Sequence, residues 1–251
     1  MKIVSLNIEG DKHLQRVIPF IMSEQAELYC LQEVFVEDVT TLLSVLPGYT
    51  CSFARNLGRA HNNELSAEGI AVLSRLPHTI FKTEYYHHPI GAIPQRYDSS
   101  SLEARWQSEG RSLITAFVRH NNRDLVISNT HFTWTPDGKK NSYQQRDFEA
   151  LKEYLDECPR IIIVGDFNVA RHQNDIYDQL LGIGLVDHVP ASLSGSIDLE
   201  FHRYRNNPEL AKLLSTFMVD YVFSKKYSDL SIRVSSRFGI SDHCALIVQL
   251  D

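Results

Sequence analysis

The stretch "IIIVGDFN", residues 161–168, constrains the fold of this chain more than any other. Four consecutive branched apolar residues suit a strand covered on both faces, as happens where helices or a second sheet close over each side. The run breaks at Gly165 into Asp166 and Asn168, so a strand that crosses the interior ends in a carboxylate and an amide. Burying such groups is costly unless they are bonded, and sheet ends are where α/β folds hold reactive side chains on rigid backbone.

Further strand-like runs fall at 2–8, 28–32, 49–54, 69–74, 112–119, 124–130, 160–165, 218–224, 230–235 and 244–250. Helical spacing marks 12–24, 37–46, 142–157 and 174–182, most clearly in Phe148, Leu151, Tyr154 and Leu155. Early alternation of strands and helices, followed by paired strands at 112–130, predicts an α/β protein with mixed sheets. With 251 residues and no repeat or flexible linker, a single domain spanning 1–251 is expected. Segments 55–68, 86–111 and 188–217 fit neither period and are candidates for shaping substrate access.

Charge narrows the function classes. The net charge of −6 supplies no positive field to capture nucleic acid passively, although a divalent metal can supply what a phosphate needs in an enzyme. No run reaches the roughly 18 apolar residues of a membrane span, and "MKIVSLNIEGDKH" lacks a signal core, so a cytoplasmic protein without a membrane span is expected. Cys30, Cys51, Cys158 and Cys244 form no C-x-x-C pair and read as buried free thiols. No feature marks a protein partner, and a monomer is expected.

Other strands also end in polar residues: Asn7, then Gln32 and Glu33, then Asn129 and His131, then Asp220, with Ser241, Asp242 and His243 just before the last strand. Singly, each has an ordinary structural explanation, such as an Asn bonding a loop or a His satisfied in the core. Together they require many coincidences. Glu33 with Asn7 offers the hard oxygen ligands that Mg²⁺ prefers, with Mn²⁺ a possible substitute, and no Cys cluster or H-x-x-x-H pair marks a zinc site. Such a metal beside histidines and carboxylates points to phosphoryl chemistry. Neither a P-loop nor a G-x-S-x-G elbow occurs.

The pieces "SLNIEG", "LQEV", "EGIAVLS", "NTHF", "GDFN", "VDYVF" and "SDH" span nearly the whole chain. In this order they resemble the endonuclease/exonuclease/phosphatase superfamily, the DNase I-like proteins. The resemblance implies a four-layered α/β sandwich, two mixed sheets face to face with helices outside and the site at one end. It also implies roles. Asn7 and Glu33 resemble the metal-binding pair, with Asp242 a further acid near the metal. Asp166 resembles the residue that orients or deprotonates water, with His243 the other candidate for the base, and Asn168 the amide that contacts the scissile phosphate. His243 resembles the imidazole that stabilises or protonates the phosphate, with Asp220 fixing its tautomer. His131 resembles the second histidine, and Glu68 stands where DNase I-like members orient that histidine.

His131 in "NTHF" separates the chain from the exonuclease III branch, and the nearest likeness is to small bacterial members near the tyrosyl-DNA phosphodiesterase and sphingomyelinase branches. Arg203, Tyr204 and Arg205 form either a phosphate and base platform or a solvated loop. The expected function is Mg²⁺-dependent cleavage of a phosphodiester in nucleic acid, DNA or RNA, or in a 5′-end adduct. The alternatives are a phosphatase or phospholipase-type enzyme acting on a small phosphate ester or sphingomyelin, and a noncatalytic binding protein that has kept the fold. The last would show itself by loss of a motif residue, and none is missing.

Overall fold

Two mixed sheets of six strands each stack face to face in the computed structural model, which describes residues 1–88, 96–158 and 160–251. The first sheet contains β1 (Lys2–Asn7), β2 (Leu28–Phe35), β3 (Thr50–His61) and β4 (Glu64–Ser74), with β11 (Ile232–Arg237) and β12 (Ala245–Leu250) returning from the C-terminus. Its order is β11-β12-β1-β2-β4-β3. The second contains β5 (Ile80–His87), β6 (Arg111–His120), β7 (Arg123–His131), β8 (Ile161–Asp166), β9 (Val186–Asp187) and β10 (Asp220–Lys225), in the order β5-β6-β7-β8-β10-β9. The helices are α1 (Leu14–Glu24), α2 (Val36–Val45), α3 (Leu102–Ser108), α4 (Ser142–Glu157), α5 (Asp175–Gly182) and α6 (Pro208–Leu214).

Strand alternation explains the layers. In the first sheet, Ile3, Leu28 and Cys30 belong to the cluster that joins the two sheets, whereas Val4, Leu6, Tyr29 and Leu31 pack with Val17, Phe20 and Ile21 of α1 and Leu42 of α2. Strands buried on both faces lose the polar alternation of a surface strand, which is why their sequences read as apolar runs. In the second sheet, α4 lays Phe148, Leu151 and Leu155 into the same cluster as Ile162 to Val164. Asn141 starts that helix by accepting the Gln144 N–H at 2.8 Å. The expected four-layered sandwich is therefore the observed fold.

Each sheet has one parallel pair, β1 with β2 and β7 with β8, connected through α1 and α4 respectively. Parallel strands place their carboxyl ends at one edge, so Asn7, Glu33, His131 and Asp166 arrive together.

Several expectations are corrected. Segment 55–68 is no irregular stretch but most of the β3–β4 hairpin, turned by Asn62 and Asn63 at φ 49° and 64°. Its arms are partly exposed on both faces, which erased the apolar alternation, while the Asn-Asn turn was the overlooked signal. Segment 86–111 holds α3 and the end of β5, with 89–95 outside the described residues, and 188–217 holds α6. Both helices have only seven residues, too short for a period to declare itself. Of the cysteines, Cys30 and Cys244 are buried, but Cys51 and Cys158 are only partly so. Among the described residues no helix is long and apolar enough to cross a membrane.

Gly165 gives the fold a sharp test. Its φ is +142°, and a Cβ built there would collide with the Thr130 carbonyl oxygen of neighbouring β7. Gly165→Ala should cost well over about 1 kcal/mol in urea denaturation, whereas Gly182→Ala, in open space at the end of α5, should gain about 0.5 kcal/mol.

Candidate active site

Strand register brings three polar residues into one row. His131 pairs with Asp166 across β7 and β8, and Asp166 with Asp220 across β8 and β10, so the side chains share a face. Asp166 is only 1% exposed and lies between two imidazoles, with Oδ2 3.6 Å from His131 Nε2 and 3.8 Å from His243 Nε2. Its other oxygen accepts the Asn168 N–H at 2.8 Å. That turn puts Asn168 at φ +52°, a left-handed conformation that Asn tolerates, and its side-chain amide donates to the Phe132 carbonyl at 3.1 Å.

His243 is held from two directions. Its Nδ1 bonds Asp220 Oδ2 at 2.7 Å, and its backbone pairs with Ile197. Ser196, fully buried, fastens that segment by accepting the Val219 and Asp220 N–H groups at 3.1 and 3.2 Å. Burial works against a charged His243 ring, yet Asp220 and Asp166 raise its pKa well above the ordinary imidazole value. Burial dominates at His131 and lowers its pKa, Asp166 pulling the other way. The two histidines are thus set apart, His243 pushed toward its cation and His131 toward its neutral ring. Burial likewise raises the Asp166 carboxyl, opposed by His243.

The first sheet supplies the other wall. A register break between Leu31 and Val34 makes a bulge in β2, and Glu33 sits on it at φ +54°. Although burial opposes ionisation, the His131 and Arg59 charges and the Asn7 amide hold its carboxyl down at about 2. Asn7 Nδ2 bridges Glu33 Oε1 and Asp166 Oδ2, each at 3.1 Å, while its Oδ1 accepts the Glu9 N–H at 3.1 Å. The backbone N–H fixes that amide orientation, so Asn7 turns its N–H groups to the carboxylates, and its Oδ1 keeps a second lone pair. Among the described residues, the carboxylates facing the cleft are Glu9, Glu33, Asp166 and Asp242. Burial and repulsion from Glu9 and Glu33 push the Asp242 carboxyl up to about 7, against the attraction of His243. Hard oxygen donors with surplus negative charge fit a divalent cation such as Mg²⁺.

These groups open into a cleft of about 630 Å³. One side carries Arg59, Tyr97, Arg105 and Trp134, with the Arg105 guanidinium 4.0 Å from the Trp134 ring centroid. The other carries Arg203 and Tyr204, 4.8 Å from guanidinium to ring centroid, and the apolar Leu210, Leu213 and Phe217. Arg205 is not among the residues that line the cleft, and its Nη1 lies 3.4 Å from the Glu200 carbonyl oxygen. Glu68 is also not where expected: its Oε2 lies 2.8 Å from Arg59 Nη1, and the carboxylates beside His131 are Asp166 and Glu33. Sequence reasoning missed Glu9, although it lies two residues past Asn7, and it missed Arg59, Tyr97, Arg105 and Ser196, which lie in segments without a local pattern.

Comparison with known proteins agrees with this architecture. Residues 4–243 match the model of the Endonuclease/Exonuclease/phosphatase family, and the chain belongs to that family. It is accordingly a hydrolase of phosphoric esters. No curated protein matches its sequence. Among solved structures, an endonuclease/exonuclease/phosphatase family protein from Leptotrichia buccalis superposes with a TM-score of 0.70 at 17% identity, covering 100% of this chain and 99% of the other. A mannosyl-6-phosphatase from Bacteroides thetaiotaomicron gives 0.69 at 16%, covering 100% and 99%. A 3′ phosphatase, NExo, from Neisseria, bound to a product DNA hairpin, gives 0.64 at 18%, covering 100% and 99%.

The Asp220–His243 contact can be read directly. Followed by NMR, the His243 ring should titrate above the ordinary imidazole range, because its cation is favoured in the fold. Asp220→Asn should lower that pKa, so that the cation is lost at lower pH. An unchanged titration would remove Asp220 as the cause.

Proposed function

We propose that this chain is a Mg²⁺-dependent phosphodiesterase acting on nucleic acid or on an adducted 5′ end. The observation that carries the reading is the convergence of Asp166, His131, His243 and Glu33 at one cleft floor. Glu33 and Asp242, with Glu9 beside them, would hold the ion, which supplies positive charge to the phosphate and the leaving oxygen. Asp166 orients the attacking water and accepts its proton. Cationic His243, fixed by Asp220, offers Nε2–H to the charge that develops on the phosphate. His131 offers its ring N–H as a hydrogen-bond donor to a phosphate oxygen. Asn168 lies at the cleft, where the amide N–H that Phe132 does not use can meet a phosphate oxygen. Trp134 and Tyr97 on one wall and Tyr204 on the other provide faces of the kind on which bases stack.

A second reading, a phosphatase or phosphodiesterase of small esters, is favoured by the pairing of cleft cations with carboxylates: Lys12 with Glu9, Arg59 with Glu68, and Arg105 with Glu109. Paired cations give little extra attraction for a polyanion. One panel separates the two: single- and double-stranded DNA, RNA, a 5′-phosphotyrosyl oligonucleotide, a sugar phosphate and sphingomyelin. Turnover of a nucleic-acid substrate should fall by about 10²–10⁴-fold in Asp166→Asn and vanish with chelator. Exclusive turnover of a small ester would select the second reading, and turnover indifferent to chelator would reject both.

A further inference from the structure

The geometry assigns Asn129 as a positioning residue for Glu33, acting across the interface between the two sheets. The inference rests on the reading that Glu33 holds the metal, and it concerns what keeps that carboxylate in place.

Asn129 lies on β7, two residues before His131, and is fully buried. Its side chain reaches out of its own sheet into the other. Asn129 Nδ2 donates to the carbonyls of Leu31 at 2.9 Å and Ala71 at 3.0 Å, while its Oδ1 accepts from Gln32 Nε2 at 2.7 Å. Two acceptors on one end and a donor on the other leave the amide a single orientation. Gln32 is itself fully buried and also donates to the Cys30 carbonyl at 3.1 Å.

Leu31 and Ala71 are the last register pair of β2 and β4 before the ladder breaks, and pairing resumes at Val34 and Gly69. Gln32 and Glu33 make up the interval, and Glu33 takes the left-handed φ that a residue with a Cβ rarely adopts. The Asn129 amide therefore clips both strands at the root of the bulge whose crest carries Glu33. Gly69 makes room on the far side, since a Cβ there would collide with the Ala54 carbonyl oxygen. Among the described residues, the Glu33 carboxylate accepts one side-chain hydrogen bond, from Asn7, so its direction depends on the backbone beneath it. Without the clip, two carbonyls lose a buried partner and the strained bulge loses what holds it.

The test is Mn²⁺ binding, read by the loss of the free-ion electron paramagnetic resonance signal, together with the melting temperature of each variant. Mn²⁺ takes the same oxygen ligands as Mg²⁺. Asn129→Leu should raise the Mn²⁺ Kd by about 10–100-fold, as loss of a group supporting a metal ligand does. In a Glu33→Gln background it should add little, because both changes act through one carboxylate. Leu125→Ala, a core truncation at the other end of β7, should lower the melting temperature and leave Kd alone. Should Asn129→Leu fail to fold, Asn129→Asp keeps the shape, sets an oxygen against the two carbonyls, and carries the same expectation. Unchanged Kd in a folded Asn129 variant, or equal weakening in Leu125→Ala, overturns the assignment alone. Failure of the unsubstituted protein to bind Mn²⁺ overturns the metal reading and this inference with it.

Discussion

The burial of the Asp166 carboxylate is the constraint on which the rest of the site depends. An isolated anion withdrawn from water is heavily penalised, so every neighbour must help to keep it charged. Asn168 turns back to give it a backbone N–H, Asn7 reaches over from the other sheet with an amide N–H, and His243 contributes a positive charge. His243 in turn stays charged against its own burial through Asp220. A single buried anion thus ties β8 to β1, to β10 and to the turn before β12. These contacts lower its pKa and burial raises it, and the balance leaves it raised, the state useful in a base.

The two sheets divide the work. Through the parallel β7–β8 pair and β10, the second sheet delivers the groups that handle protons. Through the parallel β1–β2 pair, the first delivers the carboxylate Glu33. Neither sheet alone makes a site, and the stacking distance of about 10 Å between sheets is too large for their backbones to hydrogen-bond directly. Long polar side chains cross it at the rim, Asn7 to Asp166, and deeper in, Gln32 to Asn129. Buried hydrogen bonds of this kind fix register as much as they add stability, because any slip would leave them unpaired.

What the sequence disclosed follows from the same division. Asn7, Glu33, His131, Asp166, Asp220 and His243 could be read because each ends or adjoins an apolar strand, where a polar residue stands out. The bulge under Glu33 could not, since "LQEVF" carries no Gly or Pro to announce it. The walls were less legible still. Arg59 reaches the cleft from a hairpin whose arms show no alternation, and Tyr97, Arg105 and Leu213 come from segments that follow no long period. Glu68 shows the limit of motif reasoning: its place in the order of motifs suggested His131 as partner, but Arg59, not foreseeable from its own surroundings, is the group beside it. Segments 55–68, 86–111 and 188–217, read as candidates for shaping substrate access, supply most of the cleft walls.

Charge pairing in the cleft bears on how substrate and cation are coupled. Lys12, Arg59, Arg105 and His243 each face a carboxylate, while Glu33, Asp166 and Asp242 add negative charge of their own. A phosphate approaching this floor meets few cations that are not already answered. On the proposed reading, a divalent ion among Glu9, Glu33 and Asp242 reverses that balance, so substrate affinity is tied to metal loading. The coupling must be reciprocal: a phosphate that binds more tightly beside the metal also tightens the metal. Cooperative binding of ion and substrate then follows from the arrangement of charges.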